Sequence, residues 1–259
     1  MPTIDVAGTA IYYEEHGQGD PILFAHGAGG NAAIWFEQVA AFAPEYRCIT
    51  FDHRTFARSP ADPSTVSVTQ FRDDALALLD ALEVERAHLV AQSMGGWTCM
   101  RLLLDHPQRV RSLTLSCTPG GLPNQRPTES MRNLTTSTGS SGSGVMRTMS
   151  RATAQKPARM LLYEAINAFN TRFSMEYLRG LGDPANAIGF EDLAGIKVPV
   201  LFISGAEDPL FPSELLASYV PHFPDARIEV VADAGHSPYF EQPEMFNRLL
   251  GEFLVRGNG

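Results

Sequence analysis

Short, almost entirely apolar runs alternate with amphipathic segments along most of the chain. Such runs are typical of β-strands buried on both faces of a sheet. They cover residues 21–27, 47–52, 87–92, 109–117, 198–204 and 226–232. The intervening segments have helical spacing, as in the last one, where Phe246, Leu250 and Phe253 fall on one side. The alternation predicts an α/β fold with a mostly parallel sheet covered by helices on both faces, and residues 3–16 predict an antiparallel hairpin at one edge.

One stretch interrupts the alternation. Residues 119–190 carry several helical patches but no clear strand. We therefore predict a core domain formed by residues 1–118 and 191–259, built on an eight-stranded sheet, and a helical cap inserted at 119–190 over one end of that sheet. One apolar helical side in this cap is predicted to consist of Phe173, Tyr177, Leu178 and Leu181.

Charge and composition argue against several classes of protein. Lys and Arg number 20 and Asp and Glu 29, giving a formal net charge of −9 without a basic run, which suits neither nucleic acid nor an anionic membrane surface. No apolar stretch approaches the ~18 residues that span a bilayer, and no signal peptide is recognised at the N-terminus, so we expect a cytoplasmic protein. The three cysteines fit reduced, buried thiols. The histidines and cysteines form no HxH, HExxH or CxxC motif, so we expect neither metal nor cofactor.

The strongest local signal is the sequence AQSMGG at residues 91–96, which lies between a predicted strand and a predicted helix. A serine in such a sharp turn has its hydroxyl exposed at the carboxyl end of the sheet. The turn requires small side chains two positions before and after the serine, and Ala91 and Gly95 meet that requirement. This pattern favours Ser93 as a nucleophile, although Ser-x-Gly alone is common and a plain connecting loop is the simpler interpretation.

An acid and a histidine follow two later strands. Asp208 lies in GAEDPLFP (205–212) and His236 lies in AGHSP (234–238). Taken singly, an Asp-Pro turn and a loop histidine are ordinary features. Because parallel strands end at the same edge of a sheet, however, Ser93, Asp208 and His236 are all expected on one rim. Their chain order is that of the nucleophile-elbow hydrolases.

These residue types suit nucleophilic catalysis. A serine hydroxyl is a weak nucleophile at neutral pH and needs a base such as histidine to take its proton. A carboxylate holds the imidazole in one tautomer and stabilises the imidazolium that forms. The tetrahedral intermediate then needs hydrogen-bond donors for its oxyanion.

The sequence HGAGG at residues 26–30 suggests where those donors lie. We expect the backbone N–H groups of Ala28 and Met94 to form the oxyanion hole. Gly27, Gly29 and Trp97 are predicted to contact substrate.

A different interpretation of the same loop is a dinucleotide site. Residues 27–32 also satisfy the fingerprint GxGxxA after a strand, with Asp52 at a suitable distance to bind a ribose. That interpretation does not account for the serine, acid and histidine on one rim, so Asp52 is better explained as a structural loop carboxylate.

With these motifs, the chain resembles the α/β-hydrolase fold superfamily, in particular small capped members such as esterases, enol-lactonases and cofactor-free haloperoxidase-like enzymes. The resemblance extends over nearly the whole chain outside 119–190 and is specific for the fold but weakly specific for substrate. It implies that Ser93, Asp208 and His236 form the triad and that Ala28 and Met94 line the oxyanion hole. A serine nucleophile argues against the dehalogenases and epoxide hydrolases of this fold.

One departure from the family pattern lies in FDHRTFARS (51–59), where Thr55 and Ala57 replace the usual glycines. If those glycines adopt positive φ, a β-branched threonine is an awkward replacement, and we expect this loop to be reshaped.

The predicted activity is hydrolysis of a small-molecule ester or lactone through an acyl-enzyme. A C–C bond hydrolase using the same triad, a non-hydrolytic member that binds a ligand or transfers a proton, and a dinucleotide oxidoreductase remain alternatives. The cap contains eight basic and four acidic residues, whereas the whole chain is acidic. This asymmetry suggests either arginines paired on the rim or one or two arginines that bind an anionic substrate.

Overall fold

A single eight-stranded sheet forms the centre of the computed structural model, which describes residues 1–123 and 147–255. The strands lie in the order β1-β2-β4-β3-β5-β6-β7-β8. They are β1 Thr3–Val6, β2 Thr9–His16, β3 Asp20–Ala25, β4 Tyr46–Phe51, β5 Ala87–Gln92, β6 Val110–Ser116, β7 Val200–Gly205 and β8 Ala226–Val231.

In the described sheet, the antiparallel pairs are the two that involve β2. β1 pairs with β2, and β2 pairs with β4, in antiparallel register, whereas all pairs from β4 through β3 to β8 are parallel. The mostly parallel eight-stranded sheet is therefore confirmed. As a consequence, the carboxyl ends of six strands lie along one edge of the molecule.

Helices cover both faces of the sheet. They are α1 Phe36–Phe42, α2 Val68–Ala81, α3 Gly95–Asp105, α4 Arg151–Ala154, α5 Pro157–Asn167, α6 Ser213–Tyr219, α7 Pro238–Glu241 and α8 Pro243–Leu254. In β3, Leu23 packs into a core with α2, α3 and α6, whereas its neighbour Phe24 packs into a second core with α1, α5, α7 and α8. Strand residues point alternately to the two faces, which explains why strands buried on both faces read as continuous apolar runs.

Local sequence signals set several helix ends. Ser67 caps α2, its side chain accepting a hydrogen bond from the Gln70 N–H at 3.0 Å. α1 is preceded directly by a 3₁₀ turn at Ala32–Trp35. Among the described residues, no helix has the length and apolar character needed to span a membrane.

Between β6 and β7 the described residues form short helical elements and no strand. α5 begins at Pro157, the position expected for a proline in the first helical turn. The apolar pattern at 173–181 forms a 3₁₀ helix over Met175–Gly182 instead of an α-helix. Phe173 precedes that helix and stacks on Phe56 of the core, with 4.1 Å between ring centroids.

Candidate active site

Ser93 occupies the sharp turn that joins β5 to α3. Its φ is +48°, a left-handed conformation that is rare for serine, and its N–H donates to the Ser116 carbonyl at 3.0 Å. A side chain at Gly95 would overlap the carbonyl oxygen of Ala25 on the neighbouring strand. The glycine at position 95 is thus required by the close approach of β3, and the turn holds Ser93 at the carboxyl edge of the sheet.

Asp208 and His236 form a buried pair at the same edge. Asp208 follows β7 and His236 follows β8, and Nδ1 of His236 lies 3.0 Å from Oδ2 of Asp208. The other carboxylate oxygen accepts the N–H groups of Leu210 at 2.8 Å and Phe211 at 3.3 Å. The carboxylate is therefore fixed, and an Nδ1–H donated to it leaves Nε2 of His236 as the acceptor nitrogen.

A buried glutamate holds the loop that carries His236. One oxygen of Glu241 accepts the N–H groups of Gly235 at 2.9 Å and Ser237 at 3.0 Å, on either side of the histidine. The other oxygen accepts the N–H of Ser150 at 2.7 Å. These charge-assisted bonds fix the backbone on both sides of His236. Glu241 was not predicted as a site residue, although a carboxylate within the segment PYFEQP (238–243) is a sequence signal for such a role.

Cys117 completes a compact group behind this pair. Ligand atoms of Cys117, Asp208 and His236 lie within 4.8 Å of one another. Burial, followed by the nearby charge of Asp208, raises the pKa of the Cys117 thiol well above its usual range. A cysteine that binds a metal must be a thiolate. The three residues are therefore better explained as a hydrogen-bonded acid–base pair packed against a neutral thiol than as a metal centre.

The loop after β3 is held by a buried histidine. Nδ1 of His26 lies 2.8 Å from the Gly27 carbonyl, and Nε2 of His26 accepts the N–H of His53 at 3.0 Å. Gly30 N–H also donates to the Gly27 carbonyl, at 3.0 Å. Because the C=O and N–H of a trans peptide point in opposite directions, this arrangement turns the Ala28 N–H away from His26. In the described part of the chain the N–H groups of Ala28 and Met94 have no hydrogen-bond acceptor.

His26 is neutral in this arrangement, since Nε2 must keep its lone pair to accept the His53 N–H. Burial lowers the pKa of His26 from 6.5 to about 4. Burial, together with repulsion from His26, also holds the pKa of His53 well below its usual range.

These pKa shifts predict a loss of stability in acid. A histidine whose pKa is lower in the folded state stabilises the fold above pH 6.5, and this contribution is lost as the pH falls towards the folded-state value. From pH 7 to pH 5 we expect His26 alone to lower the free energy of unfolding by about 2 kcal/mol, with His53 acting in the same direction.

Urea unfolding of the wild type and of His26→Gln at both pH values measures this effect. The variant should lose part of the pH dependence, whereas the same change at the exposed His16 should leave it intact. An equal pH dependence in all three proteins would contradict the assignment of His26 as a neutral structural histidine.

Asparagines from the segment after β6 contact the same loop. Asn167 and Asn170, both buried, donate to the carbonyls of Gly29 at 2.7 Å and Gly30 at 3.0 Å. Asn31 donates in the opposite direction to a backbone carbonyl of α5 at 2.8 Å. The orientation of the 26–30 loop therefore depends on residues almost 140 positions away, for which the sequence carries no spacing signal.

Two cavities meet at Ser93. The larger, of about 340 Å³, is bordered by Ala28, Ser93, Met94 and Trp97 of the expected site residues. The smaller, of about 20 Å³, is bordered by Ala28, Gly29, Ser93 and His236. Gly27 is not among the described lining residues of either cavity, and a side chain there would overlap the Gln92 amide oxygen. The structure thus brings the expected residues together, with Gly27 packed beneath them.

Asp52 has a structural role in the loop after β4. Its carboxylate accepts the N–H of Ala32 at 2.7 Å and both the N–H, at 2.9 Å, and Nε, at 2.8 Å, of Arg58. The oxygens needed for a ribose are therefore occupied, which weakens the dinucleotide interpretation.

Thr55 and Ala57 have φ values of +71° and +33°. The loop thus keeps the positive φ expected of the family glycines, and the expected reshaping to avoid it is not observed.

The arginines between 147 and 190 do not face either cavity at Ser93 in the described structure. Arg159 bonds Glu37 at 2.9 Å and stacks on Phe240, Arg179 pairs with Glu176 on the surface, and Arg172 borders a separate cavity. These observations favour the structural explanation of the basic charge. Arg126 and Arg132 lie outside the described residues.

Comparisons with known proteins agree with this architecture. The chain matches the alpha/beta hydrolase fold family model over residues 20–178. A protein of Azorhizobium caulinodans, provisionally named carbamate hydrolase RutD, is 32% identical, with 96% of this chain and 97% of that protein covered. The 2-hydroxy-6-oxononadienedioate/2-hydroxy-6-oxononatrienedioate hydrolase of Burkholderia vietnamiensis is 30% identical, with 95% and 91% covered.

A solved structure is also similar over its whole length. Est816, described as an N-acyl homoserine lactone degrading enzyme, is 30% identical and superposes with a TM-score of 0.84, covering 97% of this chain and 100% of that one. Both the sequence and the fold are therefore similar to those of known enzymes. The chain belongs to the alpha/beta hydrolase fold family and is a hydrolase of that fold.

Proposed function

We propose that this protein is a serine hydrolase that cleaves a neutral small-molecule ester or lactone through an acyl-enzyme. The observation that carries the proposal is the His236–Asp208 pair, at 3.0 Å, on the same small cavity as Ser93. Ala28 and Met94, whose N–H groups have no acceptor among the described residues, border the large cavity at the same serine. This local arrangement supports the assignment of all four roles, those of nucleophile, base, carboxylate and oxyanion donors.

In the proposed reaction, Nε2 of His236 takes the Ser93 proton as the hydroxyl oxygen attacks the substrate carbonyl. Asp208 holds the reactive tautomer and stabilises the imidazolium. The Ala28 and Met94 N–H groups stabilise the oxyanion. His236 then gives its proton to the leaving alcohol, and water attacks the acyl-enzyme by the same route in reverse.

We further propose that residues 119–190 act as a cap over this site. Met175, Leu178 and Leu181 from this segment border the large cavity together with Trp97 of α3. The hydrogen bonds from Asn167 and Asn170 to the 26–30 loop support a second role, in which the cap helps to orient the oxyanion donors.

The character of the large cavity favours a neutral substrate over a dicarboxylate such as the one named for the Burkholderia relative. Its described lining contains no lysine or arginine and includes the acidic residue Asp183. A carboxylate placed there would have no cationic partner from these residues and would be repelled by Asp183.

Partitioning of a common intermediate tests the proposal. Methyl heptanoate and S-methyl thioheptanoate should both be hydrolysed, and added hydroxylamine should divert part of the product to the hydroxamate. The ratio of hydroxamate to acid should be the same for both substrates, because both form the same heptanoyl-enzyme on Ser93. Unequal ratios, or turnover of C–C or carbamate substrates in place of esters and lactones, would contradict the proposal.

A further inference from the structure

The space around Ser93 is strongly unequal on its two sides. The large cavity of about 340 Å³ and the small cavity of about 20 Å³ share Ala28, Ser93 and Leu210 as borders. A substrate carbonyl attacked by Ser93 would therefore direct one substituent into ample space and the other into very little. The two sides differ in chemistry as well as in size.

The large side is lined mainly by apolar groups. Trp97 of α3 and Phe211 after β7 contribute from the sheet edge, and Met175 and Leu178 contribute from the segment above it. Aromatic and aliphatic side chains of this kind bury an alkyl chain favourably, by about a fourfold gain per methylene. The volume is in the range of small-ligand pockets.

The small side has a larger share of polar groups than the large side and adjoins the base. It is bordered by His236, by the amide of Gln92 and by Thr148 and Tyr163. A cavity needs roughly 10–15 Å³ of such volume to hold one water molecule, so this space accommodates one water or a group of similar size. It does not accommodate an extended alkyl chain.

The position of His236 decides which part of the substrate lies on each side. His236 must protonate the leaving oxygen as the acyl C–O bond breaks, so the leaving alcohol lies on the small side, next to the imidazole. After that alcohol departs with its proton, the same space holds the water whose oxygen attacks the acyl carbon and whose proton passes through His236 back to Ser93. The acyl chain occupies the large side throughout.

Resting on the proposed function, we infer that the substrate class is esters of an apolar, medium-length carboxylic acid with a very small alcohol. Esters with a long alcohol and a short acyl group would have to place the long alkyl chain in the small cavity. Because the ring of a lactone joins the acyl and alkoxy parts, it cannot distribute them between two such unequal spaces.

Two constitutional isomers test this inference with matched hydrophobicity. Methyl heptanoate and hexyl acetate have the same atoms, and we expect kcat/KM to be at least 100-fold higher for methyl heptanoate. Along the series from methyl acetate to methyl heptanoate, kcat/KM should rise by about fourfold per methylene until the cavity is filled.

A cavity-filling variant tests the assignment of the acyl side. Leu178→Trp should lower the ratio of kcat/KM for methyl heptanoate over methyl acetate by at least 10-fold. Leu161 is exposed on α5 and borders neither cavity in the described structure, so Leu161→Trp should leave the ratio unchanged. An unchanged ratio in Leu178→Trp would overturn the assignment.

The outcomes separate this inference from the proposed function. If kcat/KM for hexyl acetate equals that for methyl heptanoate, or if only lactones are hydrolysed, the inference is overturned. The proposed function still holds in either case if Ser93→Ala abolishes the hydrolysis. If neither esters nor lactones are hydrolysed, the proposed function itself fails.

Discussion

Ser93→Ala is expected to lower kcat for methyl ester hydrolysis by at least about 10⁴-fold. The substitution removes the attacking oxygen but keeps the positive φ of the turn, so only the catalysis supplied by binding and by the oxyanion donors remains. KM should change little, since the hydroxyl contributes little to binding of the ground state. Steady-state kinetics with high enzyme concentrations measure the residual rate.

The stability of Ser93→Ala provides the control, because a loss of activity through unfolding would also lower the urea midpoint. Ser93 is only partly buried, and the hydrogen bond to the Ser116 carbonyl comes from its backbone N–H and not from its hydroxyl. The urea midpoint of Ser93→Ala should therefore stay close to that of the wild type, and Ser218→Ala, at an exposed position of α6, should keep full activity. Retention of near wild-type kcat in Ser93→Ala would exclude the acyl-enzyme mechanism.

Asp208→Asn is expected to lower kcat by about 10⁴-fold. The amide oxygen can still accept the Leu210 and Phe211 N–H groups, so the loop should keep its geometry. The amide NH₂, however, donates to Nδ1 of His236 and so favours the tautomer with its proton on Nε2. That imidazole cannot accept the Ser93 proton, and it lacks a carboxylate to stabilise the imidazolium.

Asp233→Asn is the matched control for Asp208→Asn. Asp233 lies three residues before His236, is exposed and has a φ of +53°, which asparagine also tolerates. Its activity should remain within about twofold of the wild type. Equal losses in the two variants would show that local charge, and not the pairing with His236, causes the effect.

The fold and the position of the candidate site were predictable because strand periodicity and chain order are local signals. Once the apolar runs were assigned to parallel strands, the turns that carry Ser93, Asp208 and His236 had to share one edge of the sheet. The positive φ at Thr55 was likewise suspected from the glycine expected there. What the sequence did not predict is that the loop retains this conformation with a β-branched side chain.

The supporting contacts were not predictable in the same way. Asn167 and Asn170 donate hydrogen bonds to the carbonyls of Gly29 and Gly30, which lie almost 140 residues away in the chain. Glu241 accepts hydrogen bonds from backbone N–H groups. Side chain to backbone bonds of this kind depend on tertiary approach and leave no periodic pattern. The 3₁₀ geometry of 175–182 was missed for a related reason, because apolar residues three apart, such as Leu178 and Leu181, fit both helix types.

The most direct test of the central claim is to map a covalent adduct on the intact protein. A small alkyl fluorophosphonate should inactivate the enzyme with one equivalent bound, and peptide mass spectrometry should place the adduct on Ser93. Labelling should be absent in Ser93→Ala and much slower in Asp208→Asn, since the hydroxyl then lacks its base. An adduct on another residue, or full ester turnover by protein that the reagent does not modify, would contradict the account.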